Sequence, residues 1–486
     1  MYKILIFLVV LLLFSTKLQA NEAPVTEVRA VWLTTNYGLD WPRTRGSVEA
    51  QKRELIVMLD ELQHHHFNTI MFQVRARNEV FYKSQIEPMS SLIARNRVGE
   101  PPFDPLAFAL EESHKRGMTL HAWVVVYPVG TDRHVRNLGA NSITRKRPDL
   151  VRNFNGEWVL DPGNPETDVY LLSLIQEIVG NYDVDGIHFD YIRYPDNRGL
   201  FPDQETHRRF GNGQNRDDWR RDNITRFVTT TYDWVKSVKP WVQVSSSPLG
   251  RYSALPCGTG HGWTARETVF QDAGHWLRIG KHDAVYPMMY HKDELFFPFV
   301  TQWLETSNDR IIVPGLGAYR MNDNADWSRQ DILDQVDYTR LRDTHGQIFF
   351  RVEDILSNAK GILHSLQQYY THPAKLPPMT WLHDTIPTFP FNLHAERVSD
   401  DVFRLSWNSL HENERITFNV YRSETDDFCT NTARNLLAVG VRESFFEYNP
   451  KKDDRAFYYF ITVSDSFNNE SEISIPAFFF HSEMIK

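Results

Sequence analysis

Two cysteines in 486 residues, Cys257 and Cys429, are too few to staple a fold of this size or to hold a zinc ion between them. They fall in regions that read as different domains, so two free thiols are expected. No long run of lysine or arginine occurs, and 53 basic residues face 62 acidic ones for a net charge of −9. Nucleic acid and anionic membrane surfaces are therefore poor partners. Beyond residue 20 no stretch has the length and apolarity of a membrane span. Three signatures of catalysis are also missing. The first strand is not followed by a Gly-rich phosphate loop, and there is neither a G-x-S-x-G elbow nor an H-E-x-x-H helix.

What is present begins with MYKILIFLVVLLLFSTKLQA. One early lysine, an unbroken apolar run from Ile4 to Phe14 and a small residue, Ala20, follow the order of a secretory signal peptide. Residues 1–20 are expected to be removed, leaving an exported protein, periplasmic or secreted, without membrane insertion. Hydrophobic residues make up 41% and charged residues 24%, an ordinary globular composition. Aromatics reach 13%, enough to furnish both cores and a ligand surface of flat rings.

Eight short runs rich in β-branched and aromatic residues recur, including VRAVWLTT, TIMFQVR, TLHAWVVVYP and VDGIHFDYIRYP. Amphipathic segments such as VEAQKRELIVMLDELQHHH and VYLLSLIQEIVGNY separate them. Strand and helix alternating eight times predict an α/β fold, a (β/α)8 TIM barrel over residues 25–376. An open doubly wound sheet is the alternative, and it lacks its phosphate loop here. Pro377, Pro378 and Pro387 mark a linker at 377–388. From 389 to 486 the texture is alternating strands and polar turns, predicting a small all-β sandwich.

In such barrels the active site lies at the carboxyl ends of the strands. The residues expected there are Asp40 and Trp41 after strand one, Gln73, Arg75 and Glu79 after strand two, and His121 and Trp123 on strand three. Strand four gives His188, Asp190 and Arg193, and strand six runs into Tyr290. Asp272 precedes a short helix before strand six. By parity, Gln73 and Arg75 share a face, as do His188 and Asp190, which makes Arg75 the expected counter-charge of Asp190. Carboxylates, arginine, histidine and aromatic rings around a barrel mouth are what glycoside hydrolysis needs. One acid protonates the departing oxygen, a second carboxylate activates water or attacks, and rings stack on the sugars. Trp41, Trp263, Trp276 and Trp327 are expected to offer such rings. The competing reading is a barrel that grips glycan without cutting it. A metal-assisted deacetylase is weaker, because no ligand trio stands out, and no cofactor is expected. The triplet His64–His66 at a helix end fans apart and reads as solvated or facing the helix dipole.

Taken together, EVRAVWLTTNYGLDWP, FQVRARNEVFYKSQIEP, LHAWVVVYP, VDGIHFDYIRYP, SSSPLG, FQD and PGLGAY resemble, in order, the glycosyl hydrolase-like 10 family of bacterial exported proteins over about residues 25 to 375. The resemblance implies a TIM-barrel glycoside hydrolase acting on a bacterial glycan, peptidoglycan strands in some members, with a trailing β domain. It implies Asp190 as a catalytic carboxylate held by Arg75 with His188 near it, and Glu79 as its partner, followed by Asp272 and then Asp40. Tyr191 stands where many members have a second aspartate, and Glu79 where many have aspartate. AFYYFITVSDSFNNES further resembles a late strand and turn of a fibronectin type III domain, with Trp407 as core tryptophan and Tyr458 or Tyr459 as corner tyrosine.

Overall fold

The computed structural model describes residues 23–94, 103–195, 201–256, 262–323, 326–399, 402–411, 414–449 and 456–480. The expected leader and Cys257 lie outside them.

Eight parallel strands close into a barrel: β1 (Val28–Leu33), β2 (Thr69–Ala76), β3 (Thr119–Val125), β4 (Gly186–Asp190), β5 (Gln243–Ser246), β6 (Ala284–Val285), β7 (Ile311–Ile312 and Gly315–Leu316) and β8 (Gly346–Phe349). β7 is broken at Val313–Pro314, where the proline has no N–H to give a ladder. Its first half pairs with β6 and its second with β8, and β8 returns to β1 through Val28 and Gly346. The barrel therefore has no free edge.

The strands alternate their faces, apart from a bulge in β2. Val28, Ala30 and Trp32 of β1 point into the barrel, and Val31 and Leu33 meet the helices. A helix follows each strand: α1 (Val48–His64), α2 (Pro105–His114), α3 (Pro165–Asn181), α4 (Arg216–Val238), α5 (Ala273–Arg278), α6 (Phe297–Glu305), α7 (Arg329–Leu341) and α8 (Ile362–Tyr369). In α1, Val48, Gln51, Leu55, Leu59 and Leu62 recur at helical spacing and form the buried stripe, and Ser47 caps the first turn through the Ala50 N–H.

The remainder is a β-sandwich of antiparallel strands: β9 (Phe391–Ser399), β10 (Val402–Asn408), β11 (Thr417–Ser423), β12 (Leu436–Val441), β13 (Phe445–Tyr448), β14 (Ala456–Ser464) and β15 (Ala477–Phe480). One sheet has the order β9-β10-β13 and the other β12-β11-β14-β15. Trp407 and Phe418 meet edge to face, ring centroids 5.1 Å apart, in the core between them.

The sandwich caps the amino-terminal end of the barrel. Asp183 and Asp185, just before β4, receive Arg415 at 3.0 and 2.5 Å, and Arg442 approaches both. Gly117 packs directly on the β12 backbone; a Cβ there would sit 2.3 Å from the Val439 carbonyl oxygen. The proline-rich stretch expected as a linker runs along this junction. Met379 is buried at the barrel's floor, its N–H donates to the Phe467 carbonyl, and the Trp381 indole donates to Asp283. Among the described residues no helix is long and apolar enough to cross a membrane.

Candidate active site

A cleft of about 430 Å³ opens at the carboxyl ends of the strands. Asp190, the last residue of β4, lies in its wall and is 5% exposed. The Tyr191 N–H donates to Oδ1 at 2.7 Å, and the Trp123 indole on β3 donates to Oδ2 at 3.3 Å. Burial pushes this carboxyl above the ordinary aspartate range, against the opposing Arg193 charge, the Tyr191 N–H, the Ser247 hydroxyl and the Trp123 indole. Arg193 lies over the Tyr191 ring at 4.6 Å. Tyr191 holds its backbone at φ 50°, a region a bulky residue rarely adopts, and the residue is 43% exposed in the cleft wall. Trp32, Trp158, Tyr290 and Phe350 supply further rings, with Tyr290 stacked on Phe350.

Below Asp190 the barrel interior is closed by a second layer. The Trp32 indole N–H donates to His188 Nε2 at 3.1 Å, which puts the imidazole proton on Nδ1, facing the Ser245 hydroxyl at 3.0 Å. Burial, with His121 and His282 adding to it, holds His188 well below the usual histidine range. Both nitrogens are committed, so this neutral ring is scaffold under the site. The expected approach of His188 to Asp190 is replaced by these two bonds. His121 lies nearer the amino-terminal end, packed on Gly186, and burial lowers it to about 4.

The pairing of Arg75 with Asp190 does not occur. β2 has a register shift between Gln73 and Arg75, so Gln73 faces the cleft while Arg75 turns to the helix layer. There its Nε and Nη2 grip Glu87 at 2.8 and 2.7 Å, its Nη1 donates to the Val125 and Val126 carbonyls, and Tyr170 of α3 shares the Glu87 carboxylate. Glu79 is likewise outside the cleft wall; it accepts the Ser91 N–H at 3.2 Å and faces His134 at 3.8 Å. Asp272 caps α5 through the His275 N–H and accepts the Tyr252 hydroxyl at 2.6 Å. Asp40 ties two loops together, accepting from the N–H groups of Thr34 and Glu353 and from Arg351, and burial raises its carboxyl to about 7. Trp41 is wholly buried against Phe72 and Phe103. Trp276 and Trp327 are also core residues, and Trp263, though exposed, is not in the cleft wall. Of the expected residues, Gln73, Asp190, Trp123, Arg193 and Tyr290 are brought together, with His188 beneath them.

Sequence reasoning missed the roof. After β3 the chain inserts a three-stranded sheet in which Glu157–Leu160 lies between Pro128–Thr131 and Val151–Phe154. It places Glu157 and Trp158 in the cleft wall, with the Trp158 indole fixed on Asp132 at 2.7 Å. Arg77 donates to Glu157 at 3.1 Å. One of the two turns that build it carries a readable signal. Asn155-Gly156 is a two-residue hairpin turn with both φ positive, and Arg77-Asn78 is another. The first is the Asn-Gly signature, sitting between VRNF and EWVL. Among the described residues no group of three or more His, Cys, Asp or Glu converges as a metal site.

The family model described as glycosyl hydrolase-like 10 matches residues 27–314. Glycosyl hydrolase YngK of Bacillus subtilis is 30% identical over 95% of each chain. Glycosyl hydrolase DigH of Escherichia coli K12 is 33% identical over 54% of this chain and 65% of its own. The glycoside hydrolase domain of PgaB (BpsB) from Bordetella bronchiseptica superposes with a TM-score of 0.47 and 15% identity, over 71% of this chain and 99% of its own. By the extent of the family match and the near full-length likeness to YngK, the chain belongs to the glycosyl hydrolase-like 10 family.

Proposed function

We propose that this protein is an exported glycoside hydrolase that cuts peptidoglycan glycan strands, or another polysaccharide, with Asp190 as its proton donor. The observation that carries this reading is a single one. Asp190 is a buried carboxyl, shifted toward its neutral form, in the wall of an aromatic-lined cleft at the carboxyl ends of the barrel strands. A glycosidic oxygen leaves as an alkoxide unless it is protonated, and a carboxyl whose burial favours the protonated form is suited to supply that proton. The rings of Trp158 and Tyr191 offer stacking faces for pyranose units beside the bond to be broken. Arg193 opposes the shift of Asp190 and so tunes the acid. The relatives named as glycosyl hydrolases support the same reaction class. The sandwich, which we read as fibronectin type III-like, acts as a fixed cap on the far end of the barrel.

Product analysis by mass spectrometry tests this reading. The protein and its Asp190→Asn variant are incubated with stem-peptide-free peptidoglycan strands and with a panel of neutral polysaccharides. New, shorter fragments are expected from one substrate with the wild type, formed at least about a hundredfold more slowly by the variant. Binding to a glycan without fragments from any of them would instead make this a glycan-binding barrel.

A further inference from the structure

Among the described residues only two carboxylates line the cleft, Asp190 and Glu157. Their settings are opposite. Asp190 ends a barrel strand and is dry, and both its oxygens are engaged by N–H donors. Glu157 is carried on the inserted hairpin, and its side chain is 43% exposed to water. One oxygen is held by Arg77, and the other makes no hydrogen bond among the described residues. The hairpin that carries it is braced rather than loose. It is paired on both sides, closed by the Asn155-Gly156 turn, and fixed by Trp158 and Asn153 on Asp132. Two carboxyls facing one cleft, one largely shielded from water and one open to it, divide the acid and base tasks of glycoside hydrolysis between them.

We propose that Glu157 is the second catalytic carboxylate, the base that activates the attacking water, with Arg77 as its positioning residue. The proposal rests on the reading of Asp190 as proton donor. As the glycosidic C–O bond breaks, its electron pair stays on the departing oxygen, which takes the Asp190 proton. The water oxygen bonds to the anomeric carbon, and the proton it sheds goes to Glu157. One water is consumed, one hemiacetal and one hydroxyl end are formed, and both carboxyls return to their starting states by exchange with solvent. A single displacement of this kind inverts the anomeric configuration.

The test uses the full chain and stem-peptide-free peptidoglycan strands. Glu157→Gln is expected to lower turnover by about a hundredfold or more while strand binding, read by tryptophan fluorescence, stays within a few-fold of wild type. With Glu157→Ala, added azide is expected to restore cleavage and give a glycosyl azide, and proton NMR of the wild-type reaction is expected to show the inverted anomer first. Near wild-type turnover in Glu157→Gln, with turnover lost in Asp190→Asn, overturns the role of Glu157 and leaves that of Asp190 standing. Loss of binding together with turnover, or no azide product, makes Glu157 a substrate contact and also overturns it. Unimpaired turnover in Asp190→Asn overturns the underlying reading itself.

Discussion

At the scale of single residues the site is governed by how a carboxyl is kept from water. The alternation in VDGIHFDYIRYP places His188 and Asp190 on one face, and the barrel turns that face inward. This much was legible, because a strand has period two and nothing interrupts β4. The same rule failed at Arg75, where a bulge in β2 reverses the parity and a second carboxylate, Glu87, waits on the helix side. Sequence patterning does not register one extra residue in a ladder. As proton donor, Asp190 must be protonated, so kcat/KM falls as pH rises through its pKa, which lies above the ordinary aspartate value. Replacing Arg193 with Met removes the charge that opposes the shift. The alkaline limb of the pH–rate profile should then move up by about one unit, and an unmoved limb would assign it to another group. Glu87→Ala, which strands the fully buried Arg75 guanidinium, should cost about 3–5 kcal/mol in urea unfolding without altering the cleft wall.

At the scale of elements, the inserted hairpin matters most to the site and was the least visible. Its strands are four residues each and sit inside a long connection after β3, where they do not disturb the strand–helix rhythm. The eight barrel strands were legible for the opposite reason, since each is an apolar run bounded by turns and followed by an amphipathic segment. The aromatic residues after the strands were misplaced because Trp41 and Trp276 serve the packing between strands and helices. Gly156 tests the hairpin alone. It holds φ +80°, and a Cβ there would meet nothing within 4 Å, so Gly156→Ala acts only on the backbone. The strain of about 1–2 kcal/mol should raise hydrogen exchange in 151–160 and lower turnover, with little change in the melting temperature of the whole chain. Unchanged exchange in the hairpin, or unchanged turnover, would show that its geometry does not limit the reaction.

At the scale of the whole molecule, the barrel is open in a cleft at one end and closed at the other. The succession of barrel and sandwich was legible in the change of texture along the chain, but the way the two meet was not, because it rests on pairs more than 200 positions apart, such as Arg415 with Asp185. Burial alone would raise the Asp185 carboxyl; Arg415, His114 and Arg442 together outweigh it and bring it far below the usual range. A carboxyl lowered on folding contributes stability above its unfolded pKa of about 4, and that contribution is lost as pH falls below this value. Calorimetry should therefore show one joint transition near neutral pH that separates into barrel and sandwich steps on acidification. Arg415→Ala should produce the same separation already at neutral pH. A joint transition persisting in the variant would mean that the Met379 and Gly117 contacts suffice.

The central claim, that this barrel hydrolyses a glycosidic bond through Asp190, is tested most directly by cleavage in 18O-labelled water followed by mass spectrometry of the fragments. The expected result is one labelled oxygen at each newly formed reducing end, with label entering at least about a hundredfold more slowly in Asp190→Asn. Fragments without label, or label entering equally fast in the variant, would contradict it.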